Sequence, residues 1–161
     1  MTSGNKEKKF KRKTAEMHLD ILMRNVRVYN ANPFNPYMFT DIVVFGSYVN
    51  EPQKQMLGDL DVGFRIEKRY QDDAFKVCRE MAQEAAIAQM PSLANLPYSV
   101  DICTEYALKY IKHGSGYVSL HRISPVEGEG ENPYIFSKAV KNMDVGEIAR
   151  MPPEEMAAMR G

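Results

Sequence analysis

The sequence predicts an α/β or α+β fold, with a mixed β-sheet of about four strands flanked by helices. The first observation is the order of periodic segments along the chain, which is helix, strand, strand, helix, strand, helix, strand, helix. The second is that helices separate most of the strands, as in domains where helices cover a sheet. The third is size, because 161 residues, 44% of them hydrophobic, suit one domain with its own core.

The first half of the chain predicts one helix and two strands. Apolar residues recur at helical spacing over residues 13–29 and predict an amphipathic helix. They are Ala15, Leu19, Leu22, Val26 and Tyr29. Two prolines within 30–36 end this helix, because proline disfavours helix in the residue before it. Apolar runs at 41–45 and 59–66 then predict the first and second strands.

The second half alternates between helices and strands. Asp72 or Asp73 is expected to cap the second helix, whose apolar stripe faces the sheet. The run over residues 98–103 predicts a third strand. Thr104 is expected to cap the helix that follows it, and alternation over residues 117–123 predicts a fourth strand.

Composition divides the chain into three parts. Residues 1–12 are basic and predict a flexible tail, and residues 13–124 form the predicted domain. Residues 125–161 predict a loop rich in Pro, Gly and Glu, followed by a short helical C-terminal extension with several methionines. The methionines are typical of packing, and an interface with a partner is the alternative.

The charge and the cysteines exclude several classes of protein. The formal net charge is zero, which argues against a dedicated nucleic-acid-binding protein, although the basic tail leaves such a contact open. The two cysteines form neither a disulfide framework nor a metal motif. No apolar run is long enough to span a membrane and the N-terminus lacks a signal-peptide core, so a cytoplasmic location is expected.

Two neighbouring motifs predict a site for phosphate and metal. The first predicted strand ends at Gly46 and Ser47, where a tight turn can present backbone N–H groups and a hydroxyl to a phosphate. Asp59 and Asp61 lie two residues apart on the second predicted strand, so both carboxylates point to one face, about 6.6 Å apart along the backbone. This combination can hold a divalent cation together with a polyphosphate.

A third aspartate extends the pattern. Asp101 lies in the third predicted strand, where an aspartate is unusual by propensity. Structural alternatives stay open for each residue alone. Asp59 could belong to an ordinary turn, Asp61 could lie on a solvated face, and Asp101 could pair with a lysine. The histidines form no cluster; His121 could approach the site from the fourth predicted strand, but a surface position is favoured.

In this order, Gly46-Ser47, Asp59-Leu60-Asp61 and Asp101 resemble the nucleotidyltransferase superfamily that includes DNA polymerase beta. The similarity is to its minimal branch and covers residues 37–123. The resemblance implies a nucleotidyltransferase-like sheet in which Gly46 and Ser47 hold the phosphates of a nucleoside triphosphate. It implies that Asp59 and Asp61 ligate Mg²⁺. It implies that Asp101 ligates a second Mg²⁺ ion or accepts the proton of the acceptor hydroxyl.

The implied function is a Mg²⁺-dependent nucleotidyltransferase that transfers AMP from ATP, or another nucleoside monophosphate, to a hydroxyl. The acceptor could be a small molecule or a partner protein, such as the toxin that an antitoxin of this type modifies. The alternative is a catalytically inactive module of the same fold that binds a nucleotide or a partner protein. The two differ in one structural requirement, because the enzyme needs Asp59, Asp61 and Asp101 to converge around metal.

Overall fold

Six strands and five α-helices form the part of the chain that the computed structural model describes, residues 9–123 and 139–160. In chain order the elements are β1 (Phe10–Lys11), α1 (Arg12–Asn30), β2 (Tyr37–Phe45), α2 (Ser47–Asn50), β3 (Met56–Leu57), β4 (Leu60–Lys68), α3 (Asp72–Gln89), α4 (Ile102–Lys112), β5 (Val118–Arg122), β6 (Lys141–Met143) and α5 (Pro153–Ala158). A 3₁₀ segment, Pro91–Asn95, follows α3.

A mixed sheet of four strands, in the order β5-β4-β2-β6, forms the centre of the structure. β2 and β4 run antiparallel, and β5 lies parallel to β4 on the other side. β6 closes the opposite edge by pairing antiparallel with β2. A second, two-stranded sheet joins β1 to β3. The predicted α+β class with a mixed sheet of about four strands is confirmed.

One face of the sheet carries the main core. The residues predicted to form the apolar stripe of the first helix are all buried in α1. They pack on alternate residues of the strands, such as Ile42 and Val44 of β2 and Leu60 and Val62 of β4. Alternation therefore turns the intervening residues of the same strands to the other face. There Val43 and Phe45 pack with Ile123 and Val140 in a smaller cluster.

Residues 98–103 do not form the predicted third strand. The chain turns at residues 98–100 and α4 begins at Ile102. Asp101 is the N-cap of α4, because its carboxylate accepts hydrogen bonds from the Cys103 N–H at 3.2 Å and the Thr104 hydroxyl at 3.0 Å. The predicted cap at Thr104 is therefore also wrong. An aspartate before a helix satisfies free backbone donors, and this local bonding outweighs the apolar pattern around it.

The ends of the chain are more closely joined to the domain than the composition predicts. Phe10 is buried in the main core and pairs through β1 with Leu57 of β3, so the folded part begins before residue 13. Residues 1–8 of the predicted tail and the predicted loop at 125–133 lie outside the described residues. Beyond that loop, the extension supplies the edge strand β6 and the helix α5, whose Met156 is fully buried against α3.

A buried arginine links the C-terminal segment to the rest of the domain by hydrogen bonds. Arg69 is 2% exposed and donates five hydrogen bonds to backbone carbonyl oxygens. The acceptors are those of Tyr29, Asn30, Asn35, Tyr37 and Ala149. Two of these carbonyls belong to the last turn of α1, where a cation is favourable. Asn30 adds to the junction by donating from its amide to the Phe39 and Val145 carbonyls.

Candidate functional site

The predicted Gly-Ser turn is present at the end of β2. Gly46 has φ 78° and ψ −158°, a backbone conformation that is essentially restricted to glycine. A Cβ atom added at Gly46 would lie 2.6 Å from Oδ2 of Asp61, inside van der Waals contact. The turn and the second aspartate of the motif are therefore in direct contact, and only glycine allows this approach.

Asp59 and Asp61 lie at the same end of the sheet. Asp61 is on β4 opposite Phe45, with its side chain 30% exposed, whereas Asp59 is exposed and precedes the strand. Burial raises the pKa of Asp61, the hydrogen bond and charge of His121 lower it, and the charge of Asp59 raises it further. The last effect shows that the two carboxylates lie close enough to repel each other.

His121 and Ser119 complete this cluster from the neighbouring strand. Nε2 of His121 lies 3.2 Å from Oδ1 of Asp61 and 3.2 Å from the Ser119 hydroxyl. The parallel register of β4 and β5 sets this position, because it places Ser119 directly beside Asp61. His121 therefore lies beside a predicted site residue, which is the alternative position considered for it, while its side chain stays 36% exposed. The parallel pairing is a tertiary feature that the sequence pattern does not reveal.

Asp101 lies at the other end of the sheet. The Tyr37 hydroxyl donates to its carboxylate, and Tyr37 is paired with Lys68 where β2 begins, whereas Asp61 is paired with Phe45 where β2 ends. The two ends are roughly 25 Å apart at about 3.3 Å per residue. Asp101 therefore does not join Asp59 and Asp61, which corrects the expectation that the three converge.

The positions of the carboxylates decide how many metal ions this cluster can bind. Within residues 9–123 and 139–160, no group of three or more His, Cys, Asp or Glu side chains is arranged to hold a metal ion. Mg²⁺ is usually bound by one or two carboxylates, with phosphate oxygens and water completing its shell. Asp59 and Asp61 fit one such ion in the presence of a phosphate ligand. They do not fit the two ions expected from the sequence, because the third carboxylate is elsewhere.

Arg12 braces the loop that follows the turn. Its guanidinium donates to the carbonyl oxygens of Tyr48, Glu51 and Lys54 at 2.8–2.9 Å, and it lies 4.8 Å from the centre of the Tyr48 ring. Arg12 was assigned to the basic tail, and its role depends on partners far along the chain. The first turn of α1 thereby holds α2 and the loop after it in place.

Neither cysteine is a candidate nucleophile. Cys78 and Cys103 are buried, and burial raises the pKa of their thiols to about 11 and about 12. Both thiols therefore stay protonated at neutral pH, and the thiolate is the reactive form. Cys103 lies in the first turn of α4, just after the capping residue Asp101.

Replacing Asp61 with asparagine is expected to stabilise the protein at neutral pH. Burial makes the folded-state pKa of Asp61 higher than its unfolded-state pKa, so the charged carboxylate destabilises the folded state above both values. This penalty disappears below both values, where the carboxyl is protonated in either state. Urea unfolding should show the stabilisation at neutral pH and its loss at acidic pH. An equal difference in unfolding free energy at neutral and at acidic pH would contradict burial as the main cause of the raised pKa.

Comparison with known proteins adds no family to these observations. No protein-family model, no curated protein and no solved structure matches the chain. Among the described helices, none combines the length and the apolar character needed to cross a membrane.

Proposed function

We propose that the chain binds a nucleoside triphosphate together with one Mg²⁺ ion at the Gly46-Ser47 turn, Asp59 and Asp61. The chain is then a nucleotidyltransferase-like module, after the family that its motifs resemble, and its primary function is nucleotide binding. The observation that supports this proposal most directly is the contact between Gly46 and Asp61. A turn that requires glycine and a half-buried carboxylate against it provide adjacent positions for a phosphate and its metal ion.

The charges around the turn explain why an ion is part of the proposal. Lys54 forms an ion pair with Glu51 at 3.8 Å, and Arg65 forms one with Asp41 at 3.8 Å. These two side chains are therefore already engaged with carboxylates. A triphosphate beside Asp59 and Asp61 would meet like charge, so its binding depends on a cation that both carboxylates and phosphates can share. When bound, Mg²⁺ would neutralise the phosphate charge and orient the phosphates.

Transfer of a nucleoside monophosphate is the second candidate, and His121 is the observation that favours it. The resemblance implies a third aspartate, Asp101, which lies elsewhere, whereas β5 brings Ser119 and His121 next to Asp61. In the transfer, the acceptor hydroxyl oxygen bonds to the α-phosphorus while the bond to the bridging oxygen breaks, and pyrophosphate leaves. His121 can hold the hydroxyl proton. The resemblance gives ATP as donor and a hydroxyl of a partner protein or a small molecule as acceptor.

Calorimetric titration with ATP, CTP, GTP and UTP tests the binding proposal. With Mg²⁺ present, we expect at least one triphosphate to bind, and binding should be lost when EDTA removes the metal. The double variant Asp59→Asn/Asp61→Asn should lose about tenfold or more in affinity, because both oxygen ligands of the ion become weaker. Absence of binding for all four triphosphates, or unchanged binding by the double variant, would overturn the proposal.

Two controls make the result specific. Glu67→Gln removes an exposed carboxylate from the other end of β4 and should leave affinity unchanged. Asp101→Asn should also leave affinity unchanged once its effect on stability is taken into account, because Asp101 caps α4 far from the turn. Pyrophosphate release in the same mixtures, after addition of a hydroxyl acceptor, would favour the transferase candidate over binding alone.

A further inference from the structure

A separate cavity of about 260 Å³ lies among the end of α1, α3 and α4. It shares no residue with the cluster around Asp61. Small and aromatic side chains dominate its lining, among them Ala82 and Ala86 of α3, Tyr106 of α4 and Phe34 of the connecting loop. None of the described residues that line it is charged. The cavity therefore suits an uncharged molecule and excludes a phosphate ligand.

Asn32, Asn35 and Gln89 contribute polar side chains to the lining, and Tyr29 adds a buried phenol. The residue is 2% exposed, and its ring packs edge-on against Phe39 with ring centres 5.4 Å apart. Among the described residues its hydroxyl has no hydrogen-bond partner. Three other tyrosines nearby differ, since the hydroxyl of Tyr37 donates to Asp101, that of Tyr70 donates to the Pro33 carbonyl, and that of Tyr106 donates to Gln89.

The position of that hydroxyl follows from the remaining buried atoms. Every fully buried side-chain nitrogen or oxygen of the described residues has a hydrogen-bond partner. The unpartnered Tyr29 hydroxyl must therefore reach open space, although the residue around it is buried. Tyr29 lines the cavity together with Cys103, and it also lines a smaller adjoining space of about 100 Å³. The cavity is the larger of the two spaces, and a hydroxyl that faces it can donate a hydrogen bond to a ligand.

We propose that this cavity binds a small, flat, uncharged aromatic molecule with one hydrogen-bond acceptor, which pairs with the Tyr29 hydroxyl. The volume exceeds the roughly 150 Å³ of an engineered apolar cavity that holds benzene, so it accommodates one or two fused rings. Apolar walls supply most of the affinity, and a single donor fixes the orientation, as is usual for small-molecule sites. A ligand acceptor also gives the Tyr29 hydroxyl a hydrogen-bond partner of fixed position in place of water.

Quinoline and naphthalene form a matched pair of probes, because they share one shape and only quinoline carries an acceptor nitrogen. Each is titrated into the ¹⁵N-labelled full chain, and the amide shifts of residues 82–86 and 103–106 are followed. We expect both probes to shift these amides, with about fivefold to tenfold tighter binding of quinoline. Tyr29→Phe should remove that preference while leaving naphthalene binding unchanged.

The remaining variants decide between this site and nonspecific binding. Ala86→Leu should fill the cavity and abolish the shifts from both probes, and Ala82→Leu replaces it if the first variant does not fold. Tyr98→Phe removes a hydroxyl from a fully exposed residue and should change nothing. The inference is overturned if the probes fail to shift the cavity amides, or if Tyr29→Phe keeps the preference for quinoline. Neither result bears on the nucleotide site, which shares no residue with the cavity.

Discussion

Arg69→Met is expected to lower the free energy of unfolding by about 3 kcal/mol or more. Methionine keeps an unbranched apolar stem, but it is shorter than arginine and donates no hydrogen bonds. Five backbone carbonyls would lose their bond from Arg69, and part of this set is buried. An unsatisfied buried polar group destabilises the fold by about 1–3 kcal/mol, and the effects within one network are not additive. The loss of stability is therefore large even if several of these carbonyls form hydrogen bonds with water in the variant.

Urea unfolding followed by circular dichroism measures this effect. Arg24→Met is the matched control, because Arg24 is exposed on α1, and its removal should change stability by less than about 0.5 kcal/mol. Arg69→Lys should give an intermediate loss, since an ammonium has three donors where the guanidinium has five. A loss below about 1 kcal/mol for Arg69→Met would show that the five bonds contribute little net stability.

Gly46→Ala is expected to cost about 3 kcal/mol of stability and to distort the candidate site at the same time. The backbone conformation of Gly46 costs a non-glycine residue about 1–3 kcal/mol. The new methyl group would also lie 2.6 Å from Oδ2 of Asp61, so either the strand or the carboxylate must move. Overpacking of this kind typically adds about 1–3 kcal/mol.

The control for this substitution is Gly116→Ala. An added Cβ at Gly116 meets no atom within 4 Å, and its φ lies outside the range that disfavours side chains. Thermal unfolding should therefore show a clear decrease for Gly46→Ala and little change or a slight increase for Gly116→Ala. Equal behaviour of the two variants would mean that the turn tolerates a side chain, and the steric argument for its glycine would be wrong.

The sequence predicted correctly the elements that are determined by residues close together in the chain. The stripe of α1 repeats at helical spacing and is buried as predicted, and the apolar residues of β2 end at a glycine that the turn requires. The predicted first strand is too short by its first four residues, Tyr37–Thr40, although aromatic and β-branched residues there favour a strand. The prediction rested on the continuous apolar run, which Thr40 and Asp41 interrupt, and the pairing with β4 is irregular between Phe39 and Asp41.

The candidate site was predictable only in part, because half of it depends on distant pairing. The motifs predicted one site for Gly46 and Asp61, and the antiparallel pairing of β2 with β4 brings the two residues into contact. His121 reaches Asp61 through a parallel pairing across sixty positions of sequence, and Arg12 reaches Tyr48 across thirty-six. Asp101 misled the prediction because an aspartate before a helix and an aspartate within a strand can have similar apolar neighbours.

The pairing of β6 with β2 has a consequence for how the chain reaches its folded state. Until residues 141–143 are available, β2 is an edge strand that presents unpaired N–H and C=O groups beside the apolar residues Ile42, Val43 and Val44. Such an edge is a template for association between chains. Because β2 ends at Phe45 and β6 begins only at Lys141, a growing chain carries this open edge over the whole stretch between them. The short strand β6, with its lysine and asparagine, therefore protects the sheet from self-association as well as completing it.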